Sequence, residues 1–339
     1  MPDDPHTGMR GGTWSAPPEQ LLQAMRQPVL AALPDLAVVA VGGADAKPFL
    51  NGQLTVDVAA VDARRWQLGA YCSAKGRVLA LFEMWQAEEG YGLLLPTEQA
   101  EPLRARLSRY VLRSKVRLQE VGAQWSVFGL TGPGIEQAVQ QAGLMCPEEP
   151  WTCRLLDGAA RLIRVPPSPR SGARLMLMAP ASDGAVWLQK LSAVSTVGAG
   201  VWWWSKIDAG LPDVFGVTQE RFVPQMLNLD VLGAVHFSKG CYPGQEVVAR
   251  SQYLGKLRRR MFCGNAQSAS AGDDVFGDDE RAGAVGTVVM AAASPAGGCD
   301  LLIECPSELA QSGRLRIGGA RSEALSLSDP PYPMINPTA

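Results

Sequence analysis

Apolar and polar positions alternate along the chain in a way that predicts short helices interleaved with short strands. Apolar residues at helical spacing predict helices over 18–27, 45–50, 97–110, 134–142 and 187–194. Runs rich in apolar and β-branched residues predict strands over 36–41, 77–85, 91–95, 124–130, 161–165 and 174–178. Thr97 is the expected N-cap of the third of these helices. The alternation favours an α+β chain with two similar units.

The pattern changes after Gly255, where short β runs are separated by turns rich in Gly, Ser, Ala and Asp. These runs, over 257–263, 285–291, 301–305 and 314–317, predict a small C-terminal barrel. Prolines and a glycine over 166–172 predict an exposed loop. We therefore expect a mobile tail and lead-in helix over 1–30, two α+β units over 31–255, the barrel over 256–325 and a second tail over 326–339.

Composition narrows the class of protein. The chain has 339 residues, 47% of them hydrophobic, which indicates a globular protein of two or three compact units. Its net charge of −2 argues against strong nucleic-acid binding through a global positive field, although a local basic patch remains possible. The dense basic run Lys256-Leu-Arg258-Arg259-Arg260 is interpreted as a charged edge strand, or alternatively as a site for an anionic ligand tail or RNA phosphate.

Targeting signals and redox chemistry point to the cytoplasm. No run of about 18 apolar residues predicts a membrane span, and the N-terminal stretch lacks the apolar core of a secretory signal. The 7 cysteines show no C-x-x-C spacing, which favours free thiols in a reducing compartment. With 2 histidines in the chain, no metal-ligand set is predicted.

The segment 239–246 carries the strongest candidate chemistry. It consists of Lys239, Gly240, Cys241, Tyr242, Pro243, Gly244, Gln245 and Glu246. Pro243-Gly244 predicts a turn, and a helix that starts at Gln245 would have Glu246 in its first turn. Cys241 would then lie just before a helix N-terminus, where free N–H groups and the ammonium of Lys239 stabilise a thiolate. A reactive thiol and a buried structural cysteine both remain open.

Three consecutive tryptophans, Trp202, Trp203 and Trp204, form the second distinctive feature. Adjacent residues of a helix point about 100° apart, so the three rings cannot share one face. At least one of them should face a cavity, an interface or solvent.

These segments resemble those of a known family. The segment 239–246 resembles the K-G-C-Y-x-G-Q-E signature of the YgfZ family of folate-binding proteins. The segments 51–57, 72–77 and 222–229 resemble further motifs of that family in the same order, and the resemblance runs from about residue 35 to 305. It implies an α+β fold similar to the glycine-cleavage T-protein, with two α+β lobes and a small C-terminal β-barrel around a central hole that binds tetrahydrofolate.

The resemblance also implies a function. Family members are implicated in folate-dependent assembly, maintenance or repair of iron–sulfur enzymes, including those that thiolate tRNA. Lys239 and Cys241 match the residues that the family marks as functional. The expected partners are therefore folate and iron–sulfur client enzymes.

Residues of the folate site follow from the same resemblance. Trp202 matches a tryptophan that contacts folate, whereas Leu36 stands where some relatives have a second one. Asp208 matches a glutamate and could accept hydrogen bonds from pterin N–H groups, or it could cap a helix or pair with Lys206 on the surface.

One departure bears on enzymatic activity. Ala80 and Leu81 stand where the T-protein carries an aspartate pair, which argues against aminomethyl transfer. A folate-dependent one-carbon or aminomethyl transferase remains the alternative hypothesis, and a pure folate-binding module is a third.

Overall fold

The computed structural model of the protein describes residues 9–253, 257–278, 283–318 and 324–334. Within these ranges the helices are α1 (Pro18–Ala24), α2 (Ala46–Asn51), α3 (Thr97–Ser108), α4 (Ile135–Gln141), α5 (Gly184–Lys190), α6 (Ala199–Asp208), α7 (Gln245–Tyr253) and α8 (Ser307–Ala310). The strands are β1 (Met9–Arg10), β2 (Thr13–Trp14), β3 (Val29–Ala32), β4 (Leu36–Gly42), β5 (Gln67–Cys72), β6 (Val78–Ala87), β7 (Gly90–Pro96), β8 (Arg117–Glu120), β9 (Trp125–Thr131), β10 (Cys153–Leu155), β11 (Arg161–Ser168), β12 (Gly172–Pro180), β13 (Ser195–Val197), β14 (Arg259–Ala266), β15 (Asp274–Phe276), β16 (Ala284–Ala293), β17 (Cys299–Pro306), β18 (Arg316–Ile317) and β19 (Ser326–Ser328). The mixture of helix and strand is the one that the sequence predicts.

These strands form three sheets. The first has the order β5-β6-β7-β4-β8, and all its neighbouring strands are antiparallel. The second has the order β10-β11-β12-β9-β3-β13, in which β13 runs parallel to β3. The third follows the path β1-β2-β16-β17-β14-β19, with β15 and β18 attached through β16. Below, they are called the five-, six- and eight-stranded sheets.

Strand β6 shows why the five-stranded sheet lies inside the molecule. It is apolar along most of its length because both of its faces are covered. Phe82 and Met84 pack into a core shared with α2 and α3, whereas Leu81 and Trp85 belong to a larger central core. That central core also takes Met176 from β12 and Met290 from β16, so residues of all three sheets meet there.

Both predicted tails are wrong for the residues that the structure describes. Strands β1 and β2 pair with each other, and β2 pairs with β16, so the N-terminal segment joins the eight-stranded sheet. At the other end β19 pairs with β14, and the hydroxyl of Tyr332 donates to the carbonyl of Gly210 at 2.9 Å. Residues 1–8 and 335–339 of the predicted tails lie outside the described residues.

Two local predictions also need correction. Strand β11 continues through the predicted loop to Ser168, because its prolines fall at a register shift between Val165 and Ser168, where the ladder is interrupted anyway. Thr97 does not cap α3, since Pro96 is the N-cap and no side chain makes a capping bond. The backbone N–H of Thr97 instead donates to the carbonyl of Asp35 at 2.9 Å.

No helix in the described part of the chain is long and apolar enough to cross a lipid bilayer.

Trp14 shows how firmly the N-terminal strands are attached. Its side chain is buried, and its ring stacks on Trp203 with centroids 4.3 Å apart and planes 11° from parallel. We expect Trp14→Ala to lower the free energy of unfolding by about 3 kcal/mol or more, because it removes a large buried ring and leaves a cavity. Urea denaturation measures this, with Leu22→Ala at a partly exposed position as the control. Equal small losses in both variants would show that the N-terminal strands contribute little to stability.

Candidate functional site

Lys239 reaches from its own loop to the end of α2 and the segment that follows it. Its ammonium donates to the carbonyl oxygens of Asn51 at 2.5 Å and Leu54 at 2.6 Å. The same nitrogen lies 5.2 Å from the centre of the Tyr242 ring. Segments 51–57 and 239–246 are thus brought together, as their shared resemblance to one family suggests. Among the described residues, no hydrogen bond joins this ammonium to Cys241.

Gly244 allows the motif to pack closely against the backbone of Ser73 and Gly76. It has a φ of 79°, and a Cβ placed on it would lie 2.4 Å from the carbonyl oxygen of Ser73 and 2.5 Å from the backbone nitrogen of Gly76. Gly76 itself has a φ of 67°, and a Cβ there would lie 2.9 Å from the Cβ of Val247. Only residues without a side chain fit this approach. Segment 72–77 therefore packs directly against the motif.

The helix predicted after the motif is confirmed. The carbonyl of Gly244 accepts from the N–H groups of Val247 at 3.1 Å and Val248 at 3.2 Å, so α7 begins at Gln245. Glu246 lies in its first turn, where a negative charge complements the helix dipole.

Residues around Cys241 have different exposures. Cys241 and Gly240 are exposed, and all seven cysteines are unpaired. Tyr242 is buried, and burial, together with the nearby Cys72, raises the pKa of its phenol. The alternative prediction, that Cys241 is a buried structural cysteine, is therefore wrong, and the thiol is accessible to a partner.

Gln225 attaches the last family-like segment to α7. Its side-chain amide nitrogen donates to the carbonyl of Val248 at 2.7 Å, and its side-chain oxygen is buried with no hydrogen-bond partner among the described residues. Segments 51–57 and 72–77 therefore contact the loop of Lys239 and Cys241, and segment 222–229 contacts the helix α7 that follows it.

Lys239 is perturbed by its surroundings. Burial lowers the pKa of its ammonium to about 8, and the carboxylate of Asp57 opposes this change. A lysine of this kind is partly neutral near physiological pH, when it can accept a proton or act as a nucleophile.

A second group of predicted residues lines a small cavity between the five- and six-stranded sheets. Its walls are formed by Leu36, Glu83, Trp151, Val165, Arg174, Met176, Trp202, Trp203, Lys206 and Leu211. The cavity has a volume of about 20 Å³. Trp202 and Leu36, which the resemblance assigns to folate, therefore face the same space.

The indole of Trp202 is already covered. The guanidinium of Arg174 lies 4.2 Å from its ring centre, and a Cβ on Gly129 would come within 2.4 Å of its ring atoms. A pterin ring could stack on this indole only after the guanidinium has moved.

Arg174 is a buried cation with neutral hydrogen-bond partners. Its Nε donates to the hydroxyl of Ser205 at 2.9 Å, and its Nη1 donates to the carbonyl of Pro166 at 3.2 Å. Burial lowers its pKa to about 9, and the charges of Glu83 and Asp208 only partly offset this. A buried charge without a paired opposite charge is costly, so this side chain is poised to gain from an anionic or carbonyl partner.

Lys206 carries the second buried cation of the cavity. Its ammonium binds Asp213 at a short distance and Glu83 at 3.3 Å. Burial opposes the charge of Lys206, but the two carboxylates outweigh it and raise its pKa. Burial and the charge of Glu83 raise the pKa of Asp213. One ammonium thus faces two carboxylates, and Glu83 is the one that also lines the cavity.

Asp208 lies elsewhere. It binds Arg170 at 2.6 Å and accepts from Ser168, and it lines a separate groove with Asp300 and Cys263. Six positions along a helix separate it from Trp202, which turns its side chain away from the cavity. The predicted pterin contact is thus not brought together with Trp202 and Leu36, and the alternative of a surface pair with Lys206 is wrong.

Ala80 and Leu81 are both buried and apolar, as their sequence indicates. However, Glu83 stands two residues after Leu81 on β6 and therefore projects from the same face of the strand. Ala80 and Leu81 carry no carboxylate, but Glu83 places a buried carboxylate two residues beyond Leu81 on the same strand.

The site residues predicted from the sequence do not include Glu83, Arg174 and Asp213. A single charged residue within the apolar strand 78–85 was the available signal for Glu83, because a buried carboxylate needs a partner or a function. Arg174 and Asp213 gave no comparable signal, since their neighbours come from distant parts of the chain.

Comparisons with known proteins agree on family and fold. No protein-family model matches the chain. The chain is 31% identical over 327 residues to the tRNA-modifying protein YgfZ of Edwardsiella ictaluri, which covers 93% of this chain and 96% of that protein. It is 30% identical over 246 residues to the tRNA-modifying protein YgfZ of Colwellia psychrerythraea, with 73% and 74% covered.

A solved structure supports the fold alone. Aminomethyltransferase T of the glycine cleavage system from Bartonella henselae matches 92% of this chain and 88% of that chain with a TM-score of 0.74 at 19% identity. The fold is therefore T-protein-like.

The lowered pKa of Lys239 has a measurable consequence. The rate at which an acylating reagent modifies this amine should rise with pH and reach half its maximum near pH 8, because only the neutral amine reacts. Asp57→Asn should move that midpoint to lower pH, since the carboxylate of Asp57 raises the pKa. Mass spectrometry of the modified peptide provides the measurement, and the protein unfolded in urea is the control, with a midpoint near the ordinary value of 10.5. The same midpoint in the folded and unfolded protein would contradict the burial of this ammonium.

Proposed function

The chain belongs to the YgfZ family of tRNA-modifying proteins, and on that premise we propose that it binds tetrahydrofolate in the cytoplasm. We propose further that it serves as an accessory protein in assembly, maintenance or repair of iron–sulfur enzymes, including enzymes that thiolate tRNA. The single observation that best supports folate binding is the buried cavity lined by Leu36, Trp202, Glu83, Arg174 and Lys206.

The residues of this cavity fit the chemistry of a pterin. The ring presents N–H donors along its aminopyrimidine edge and a carbonyl oxygen as an acceptor. Glu83 offers a buried carboxylate to the donors, whereas Lys206 and Arg174 offer N–H groups to the acceptor. Leu36 and Trp202 supply apolar surface for the flat ring. When bound, tetrahydrofolate supplies a carrier for one-carbon groups.

The size of the cavity sets a condition on binding. A volume of about 20 Å³ is on the scale of one or two water molecules, whereas pockets for small-molecule ligands are on the order of 300–1,000 Å³. Arg174 is the residue whose displacement would open the space, because its guanidinium covers Trp202. We therefore propose that folate binding is coupled to withdrawal of this guanidinium, and that the lobes and barrel implied by the family enclose the ligand.

In this proposal Glu83 takes the recognition role that the family resemblance gives as one of the alternatives for Asp208. Its carboxylate lines the cavity, and the ammonium of Lys206 holds it at 3.3 Å. Asp208 is bound to Arg170 and faces a different groove.

The exposed Cys241 supplies the reactive group in this proposal. Its loop is fixed by Lys239 and Gly244, so the thiol is presented to a client protein in a defined position. A fixed, accessible thiol suits contact with an iron–sulfur client.

A second candidate function is a folate-dependent one-carbon or aminomethyl transferase. Glu83 favours it specifically, because a buried carboxylate beside a bound folate could stabilise a positive charge that develops there. Release of formaldehyde or transfer of a methyl group from a folate by the purified protein would support this candidate. Its absence after long incubation would leave the accessory role.

Folate recognition is tested by isothermal titration of tetrahydrofolate into the purified protein. We expect Glu83→Gln to weaken binding about tenfold or more, since a hydrogen bond to a charged group is lost. Asp208→Asn is the matched control and should change the affinity by less than about threefold. Circular dichroism checks that both variants fold. Equal effects of the two substitutions, or no binding to the wild type, would contradict the assignment.

The role of the thiol is tested in cells that lack the gene. The wild-type copy should restore the activity of an iron–sulfur enzyme that thiolates tRNA, and a Cys241→Ala copy should restore it poorly because the exposed thiol is gone. Cys299→Ala, at another unpaired cysteine outside the motif, is the control and should restore it fully. Full rescue by Cys241→Ala would refute the function assigned to the thiol.

A further inference from the structure

The segment that joins α3 to β8 carries a dense cluster of positive charge. Residues 104–117 contain Arg104, Arg106, Arg109, Arg113, Lys115 and Arg117, and no aspartate or glutamate. The overall charge of −2 conceals this cluster, because acidic residues elsewhere in the chain balance it.

Most of these cations have no acidic partner in the part of the chain that the structure describes. Arg109, Arg113 and Lys115 are exposed, and Arg106 is half-buried. Within the described ranges, none of these four side chains forms an ion pair with a carboxylate. They differ in this from Arg104, which is bound to Glu101 at 2.6 Å.

Acidic groups mark the limits of the cluster. The carboxylate of Asp45 accepts the backbone N–H of Lys115 at 2.7 Å. Glu88 and Glu89 share a groove with Arg117 at the far end. We therefore define the α3–β8 surface as Arg106, Arg109, Tyr110, Arg113 and Lys115.

An aromatic side chain lies among the charges. Tyr110 is 51% exposed, although aromatic rings of this size usually bury most of their area. Tyr110 directly follows Arg109 and stands three residues before Arg113, so an exposed ring lies within the basic segment.

Two arginines of the basic run singled out in the sequence, Arg259 and Arg260, are paired with carboxylates. Arg259 is bound to Glu304 at 2.5 Å and Arg260 to Asp230 at 2.6 Å. These charges hold the eight-stranded sheet in place, and Lys256 lies outside the described residues.

We propose that the α3–β8 surface binds the phosphate backbone of a structured RNA, with Tyr110 stacked on an unpaired base. Four cations that form no ion pair within the described residues can each contact a phosphate, and one exposed ring can stack on a splayed base. This inference does not depend on folate binding.

An anionic membrane is the competing partner for a basic surface. Membrane-surface helices bury a broad apolar face in lipid. The apolar side of α3, with Leu103 and Leu107, is instead buried in the protein core, and Leu112 is the one large aliphatic side chain of segment 104–117 that stands clearly exposed, at 87%. RNA fits this surface better.

The experiment titrates the full chain into a fluorescently labelled, unmodified tRNA transcript and follows anisotropy over a series of salt concentrations. Binding should weaken with salt with a log–log slope of about −3, as expected for about four phosphate contacts. The double substitution Arg109→Glu with Arg113→Glu should weaken binding at least about tenfold. Tyr110→Ala should weaken it by about tenfold with little change in the salt slope, because stacking is lost but no charge.

The matched control is Arg64→Glu with Arg65→Glu, which changes the net charge equally. These two arginines border a groove that also contains Asp62, Glu148 and Glu149. It should change RNA affinity by less than about threefold. All variants should bind tetrahydrofolate as the wild type does, which separates failure of this proposal from failure of the folate proposal.

Three results would overturn the inference. The first is no RNA binding by the wild type, and the second is an equal loss in the two double variants. The third is binding to phosphatidylglycerol vesicles but not to the transcript, which would assign the surface to a membrane.

Discussion

Helix α6 holds the molecule together because its side chains bind all three sheets. Trp202 lies against Gly129 of the six-stranded sheet, and Lys206 binds Glu83 of the five-stranded sheet. The Nε1 of Trp204 donates to Asp300 of the eight-stranded sheet at 2.7 Å. Three adjacent tryptophans on a helix must point in three directions. Here each direction meets a different part of the protein, which explains why all three rings are buried.

The same arrangement creates the cavity that we assign to folate. Since α6 crosses between the sheets, Lys206 and Trp202 face the space where β6 and β12 approach each other. Glu83 and Arg174 enter that space as buried charges, which cost stability unless they are paired. Lys206 satisfies Glu83, but Arg174 has neutral partners and a lowered pKa. A buried cation that has only neutral hydrogen-bond partners among the described residues is a reasonable feature of a ligand site and a poor feature of a core built for stability alone.

Local sequence signals predicted the parts of this structure that depend on local chemistry. The start of α7 at Gln245 follows from Pro243-Gly244, and strand β4 follows from its apolar run. Contacts between distant segments could not be predicted in this way. The sequence predicts that Trp14 lies in a mobile tail, and only the fold shows that it stacks on Trp203. The sequence leaves Asp208 open between a pterin contact, a helix cap and a pair with Lys206, and only the fold shows that it binds Arg170. The family resemblance identified the motif residues. The position of the Glu83 carboxylate in the cavity is known only from the fold.

We assign tetrahydrofolate to the cavity formed by α6, β6 and β12. A crystal structure of the complex tests this assignment most directly. We expect a pterin ring beside Leu36 and Glu83, with the guanidinium of Arg174 displaced from the face of Trp202. A ring bound in the groove of Asp208, or a complex in which Arg174 still covers Trp202, would contradict it.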